Sequence, residues 1–138
     1  MAGSKTLYLE NKALDGVLGG PQYVLPGNVY IALSTAAFTT SATGSSMNEV
    51  PSTGAYARVA VTNTSTNWPN AASGTKSNGA VFTFPAATAN WGTVQSFYIT
   101  DSATGGNTLY GADLTTARTI NNGDTASFAV GAITLTEN

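Results

Sequence analysis

Cysteine and histidine are both absent from this 138-residue chain. Disulfides, thiol nucleophiles, Cys/His zinc sites and imidazole-based triads are therefore excluded. Charge is scarce as well: charged residues make up 9% of the chain, against about 25% in an ordinary soluble domain. Five Lys and Arg spread along the sequence cannot build the phosphate-reading face of a nucleic-acid binder. A net charge of −2 gives no long-range steering of a partner. No apolar run approaches the ~20 residues of a membrane span. The opening Met1-Ala2-Gly3-Ser4-Lys5 lacks the apolar middle region of a signal peptide, which predicts a chain made and kept in a cytoplasm. The expectation is a protein with no nucleic-acid and no membrane partner.

What is present is a hydrophobic share of 42%, too high for a disordered chain. The length suits a single β-domain over residues 1–138, burying roughly 68% of its unfolded surface. With so few charges, the surface must consist largely of Ser, Thr, Asn, Gly and Ala, which favours strands over charged amphipathic helices. Such a surface also loses little when it is covered.

The first twenty residues differ from the rest. Ser4 is a candidate N-cap, and Leu7, Leu14, Val17 and Leu18 recur on one helical stripe. The pattern predicts a helix over 5–18, stopped by Gly19-Gly20-Pro21, with Leu7, Leu14 and Leu18 packed on a sheet. Beyond Pro21 the sequence reads as strands: 28–34, 55–62, 80–84, 92–100, 108–114 and 126–136. Along 55–62, alternation puts Tyr56, Arg58, Ala60 and Thr62 on one face. The apolar residues change parity between Phe128/Val130 and Ile133/Leu135, which predicts a bulge at Gly131. Asn78-Gly79, Gly105-Gly106 and Asn122-Gly123 are hairpin dipeptides. The fold class expected is mainly β, an antiparallel β-sandwich or small barrel with one N-terminal α-helix. Residues 36–54, rich in Ser, Thr and Gly, read as an extended loop or arm.

Candidate chemistry is thin. Ser73-Gly74-Thr75-Lys76 matches S-x-x-K, but the partner motifs of that Ser/Lys chemistry are missing and the setting reads as a polar loop. Asp101, Asp113 and Asp124 have no EF-hand spacing. They fall in or beside turns, where an aspartate caps backbone groups. Asn63-Thr64-Ser65 is a glycosylation sequon of the kind chance supplies in such a composition. Trp68, Trp91, Tyr56 and Tyr110 can be read as sugar-stacking platforms or as plugs at the ends of a core; the second reading is the simpler. No catalytic residue, metal site or cofactor is expected, and no hydrolytic or transferase activity.

A set of segments nevertheless occurs in a familiar order. They are Leu7-Tyr8-Leu9-Glu10-Asn11, Val29-Tyr30-Ile31-Ala32-Leu33-Ser34, Tyr56-Ala57-Arg58-Val59 and Asn67-Trp68-Pro69. Lys76-Ser77-Asn78-Gly79, Phe84-Pro85, Trp91-Gly92-Thr93-Val94, Thr104 to Tyr110, Asn122-Gly123-Asp124-Thr125 and Phe128-Ala129-Val130-Gly131 follow. Over nearly its whole length the chain resembles a family of small virion proteins of tailed bacteriophages, often labelled phage tail fiber proteins. The resemblance implies a non-enzymatic structural protein of a virion assembled in the bacterial host cytoplasm, with no catalytic residues to carry over. A short chain without repeats suits a capsid decoration or cement protein, bound to the major capsid protein lattice as a homo-oligomer such as a trimer. The alternative is a tail fibre or tail-tip protein that contacts other tail proteins and a host receptor glycan. A carbohydrate-binding module is the third reading. The expected contact elements are the arm, through Ala36, Phe38, Thr39, Met47 and Val50, and the segment before Leu7, both thinly supplied with core residues.

Overall fold

The computed structural model describes residues 2–137. The chain opens with a strand, β1 (Ala2–Lys5), and one helix, α1 (Leu7–Val17). Eight strands follow: β2 (Asn28–Ser34), β3 (Val59–Thr62), β4 (Thr75–Ser77), β5 (Phe82–Thr83), β6 (Gly92–Thr100), β7 (Thr108–Ile120), β8 (Ser127–Phe128) and β9 (Thr134–Thr136). Seven strands form one sheet in the order β3-β2-β6-β7-β1-β9-β4, which curls into a half-barrel, and β5 and β8 pair separately. Pairing is antiparallel except between β1 and β9. The mainly antiparallel β fold with one N-terminal helix is as the sequence predicts.

The helix starts two residues later than expected, and its cap is Thr6. Ser4 is taken up by β1, where it pairs with Gly111 of β7. The extended backbone continues to Thr6, at φ −80° and ψ 165°, whose Oγ1 accepts from the Leu9 N–H. That hydroxyl also donates to the Thr108 carbonyl, so the fully buried Thr6 fastens α1 to β7. Gly19 and Gly20, at φ +87° and +73°, end the helix in a conformation that a side chain disfavours.

The stripe of leucines turns the other way from the prediction. Leu9 is the buried helix residue, whereas Leu7, Leu14, Val17 and Leu18 are exposed. Periodicity locates an apolar stripe without saying which face the neighbouring sheet takes. Here Thr6 fixes the rotation of the helix, and Leu9, three positions on, is carried inward.

Four other expectations are corrected. The strand expected over 55–62 begins only at Val59, because Gly54 and Ala55 turn at φ +63° and +67° and send Tyr56 into the core. Gly131, at φ +77°, makes a turn between two strands and not a bulge within one. On its two sides β8 pairs with β5 and β9 with β1 and β4, which explains the change of parity. Asn78-Gly79 is not a hairpin: Asn78 is buried, donates to the Ala80 and Ala129 carbonyls, and accepts from the Ile133 N–H. Asn122-Gly123 turns the chain between β7 and β8, which do not pair with each other. Only Gly105-Gly106 closes a hairpin as predicted, between β6 and β7.

Strands β2 and β6 supply the centre of the core, with Ile31, Phe97 and Val94 almost completely enclosed. Rings of Tyr56, Phe84 and Trp91 pack against one another at its end. A second, smaller cluster joins Ala32 and Tyr98 to Ala42 and Met47 of the 36–54 segment, with Phe38 against it.

Candidate functional site

Both elements expected to await a neighbour are held by the molecule itself. β1 lies between β7 and β9. The 36–54 segment is stitched across the sheet: the Phe38 N–H donates to Asp113 Oδ1 at 2.7 Å and the Thr39 N–H to the Tyr98 hydroxyl at 3.0 Å. Val50 N–H donates to the Leu33 carbonyl, and Gly44 N–H to that of Gly106. A Cβ at Gly44 would stand 1.8 Å from the Gly105 carbonyl oxygen, so the two loops touch backbone to backbone. Of the predicted contact residues, Met47 and Val50 belong to the core, Ala36 and Phe38 are half-buried, and Thr39 faces solvent.

The centre of this stitching is Arg58, whose side chain is 2% exposed. Its guanidinium forks onto Glu49, Nε to Oε2 and Nη2 to Oε1, each at 2.8 Å. Nη1 donates to the carbonyls of Ser102 and Gly105 and to Thr100 Oγ1, and Nη2 to the Gly44 carbonyl. The Tyr56 hydroxyl donates to Glu49 Oε2 at 2.6 Å and accepts from the Leu33 N–H. Burial first, and the bond to Glu49 second, push the Tyr56 phenol far above the ordinary tyrosine range. One planar cation thus ties the arm, the approach to β3 and the β6–β7 loop. The alternation reading put Arg58 on one strand face with Tyr56, Ala60 and Thr62; the missed signal is that a lone Arg in an almost uncharged stretch lies nine residues from Glu49.

What the fold does leave open is apolar. Leu14, Val17 and Leu18 of α1 expose 63%, 81% and 74% of their surface, and Val24 and Leu25 of the following loop are as open. A groove lined by Lys5, Ala13, Leu14, Val17, Leu18 and Thr136 runs beneath the stripe. It shares Thr136 and Glu137 with a second cleft, of about 480 Å³. The helix is therefore apolar on two sides, one packed through Leu9 and one bare. On a surface helix only one apolar stripe is needed for packing on its own domain.

This second cleft is lined by Leu9, Val29, Ile99, Leu109 and Leu135, with Trp68, Tyr23, Tyr110 and Lys76 and the polar Asn63, Thr64, Ser65, Asn70, Thr75 and Thr136 around them. Trp68 Nε1 is the single buried side-chain polar atom without a hydrogen-bond partner among the described residues. An orphan donor of this kind costs about 1–3 kcal/mol. Burial, reinforced by Tyr8, Asp101 and Tyr110, raises the Tyr23 phenol to about 12. Burial and then Glu137 raise that of Tyr110. Lys76 makes no salt bridge among the described residues, whereas Glu137 is held by Lys5.

The other sequence candidates are not brought together. Ser73 stands in an exposed turn at φ +52°, and no hydrogen bond joins it to Lys76 among the described residues. Asp101 accepts from the backbone and side chain of Asn107, Asp113 from Phe38, and Asp124 from the Asn121 N–H. Each caps a loop, and no group of three or more potential metal ligands occurs among the described residues. Trp91, which donates to the Gly54 carbonyl, and Tyr56 are buried and offer no open face to a sugar, whereas Trp68 is buried but lines the cleft. Tyr110 is half-buried on the cleft wall. The Asn63 amide of the sequon donates to the Pro26 carbonyl. No helix among the described residues is long and apolar enough to cross a membrane.

Comparison with known families gives one match: the model of the podophage GP4 fiber I protein gp80 family aligns with residues 4–136. No curated protein matches the chain. The aligned span takes in the end of β1 and the whole of α1, the arm and β9.

Proposed function

The chain belongs to the podophage GP4 fiber I protein gp80 family, and from that premise we propose that it is a non-enzymatic subunit of a phage fibre, working as a homo-oligomer. As a member it is a virion component that associates with other phage structural proteins. The observation that carries the oligomeric reading is the bare stripe of Leu14, Val17 and Leu18, with Val24 and Leu25 also exposed. Exposed apolar side chains on a nearly uncharged protein mark an interface, because covering them desolvates few charges. The outward face of the arm, at Thr39, is a second and more polar contact.

Capsid decoration is the second reading. It is favoured by the absence of any internal repeat in the sequence, since an extended shaft is most simply built from repeated units. Counting copies in purified virions, by quantitative gel staining with antibody labelling for position, separates the two. A few to a dozen copies at the tail support the fibre subunit. Hundreds over the head overturn it in favour of decoration.

A further inference from the structure

We propose that the cleft beside Trp68 binds a small amphipathic anion, an acyl chain carrying one carboxylate, with the chain on the aliphatic side chains and the carboxylate at Lys76. The cleft, at about 480 Å³, falls within the ordinary range for small-ligand pockets, which fix orientation with a few polar groups around an apolar lining. Leu9, Val29, Ile99, Leu109 and Leu135 supply that lining. A sugar laid on these aliphatic side chains would lose the hydration of its hydroxyls on that side. An alkyl chain loses nothing, and the exposed Leu25 at the mouth extends the apolar track.

Among the polar groups of the cleft, two are donors without a partner or counter-ion among the described residues. Trp68 Nε1–H is buried without a partner. The Tyr23 and Tyr110 hydroxyls line the same cleft. Glu137, which also lines the cleft, is already neutralised by Lys5, which leaves Lys76 as the cation without a salt bridge among the described residues. An unmet indole donor and a cation without a salt bridge favour an acceptor-only, negatively charged head. The proposal is independent of the assembly reading: it concerns a cleft within one copy.

The test uses the full chain and octanoate as probe, followed by the two tryptophan indole N–H resonances. Trp91→Phe removes one signal and so assigns the other, even if Trp68→Phe fails to fold. Octanoate is expected to shift the Trp68 indole signal and leave that of Trp91, whose donor already has the Gly54 carbonyl at 2.8 Å. Octanol should bind at least tenfold more weakly. Lys76→Gln should weaken octanoate about tenfold and leave octanol unchanged. The proposal fails if millimolar octanoate leaves the Trp68 signal in place, if octanol binds as tightly, if Lys76→Gln has no effect, or if methyl glucoside shifts the signal at lower concentration than octanoate.

Discussion

Arg58 shows what a single charge does in a chain that has few. Its guanidinium serves Glu49 and four further oxygens from the arm and the β6–β7 loop. Removing one partner of a buried pair leaves the other uncompensated, which typically costs about 3–5 kcal/mol. Arg58→Ala is expected to destabilise by that order, read as a lower urea midpoint. Arg58→Met with Glu49→Leu should recover only a small part of the loss, because the Gly44, Ser102 and Gly105 carbonyls and the Tyr56 hydroxyl then lose their partner. Tyrosines give the residue scale its pH dependence. The Tyr23 phenol titrates near 12 in the folded protein, against an ordinary value of 10.0. Between those values the unfolded chain has released a proton that the folded one keeps, so stability falls as pH rises. The contribution is complete below pH 10 and lost towards pH 12. Urea midpoints measured from pH 8 to 11.5 should decline above about 10, and less steeply in Tyr23→Phe.

At the scale of elements, the sequence was most legible where alternation and turn chemistry are local. Strand β6, Gly92–Thr100, has the bounds that the sequence predicts, because its run of Val94, Phe97, Tyr98 and Ile99 is buried along most of its length. What local pattern could not carry is pairing at a distance. β1 and β4 are three or four residues long and exist because β9 lies between them. Asn78 looks like a turn residue until Ile133 and Ala129 are brought to it. Among the candidate site residues, composition foretold the loop-capping aspartates, but the cleft draws on residues from both ends of the chain. The helix gives the sharpest contrast. Leu9→Ala removes a buried side chain and should cost about 2–5 kcal/mol. Leu14→Ala in the dissociated protein should stay within about 0.5 kcal/mol. Paired urea titrations at low protein concentration check both. The arm belongs to the fold in the same sense: Gly44→Ala drives a methyl into the Gly105 carbonyl. Limited proteolysis should then cut within residues 36–54 faster than in the parent.

For the whole molecule the question is how large the bare apolar front is beside what an interface requires. Fully burying one aliphatic side chain is worth about 1.5–3 kcal/mol at roughly 25 cal/mol per Å², which corresponds to about 60–120 Å². Leu7, Leu14, Val17, Leu18, Val24 and Leu25, each half exposed or more, then present on the order of 250–500 Å². A standard interface takes about 800 Å² from each partner, of which about 65% is apolar between identical subunits. The front therefore supplies about half or more of one partner's apolar share, and the groove beneath α1 gives it relief to interlock. A second copy is the occupant that such a surface fits most simply. The groove beside the stripe carries both signs of charge, in Lys5, Glu10 and Glu137, and a two-fold arrangement brings the same patch of both subunits to the contact. Sedimentation of the protein at rising concentration should show association to a discrete oligomer. Replacing Leu14, Val17 and Leu18 together by Asp should leave a monomer with an unchanged circular dichroism spectrum, since none of the three is packed against the sheet. An oligomer that survives this triple substitution would place the contact elsewhere, at the arm. A chain that stays monomeric before substitution would mean that a different virion protein covers the stripe.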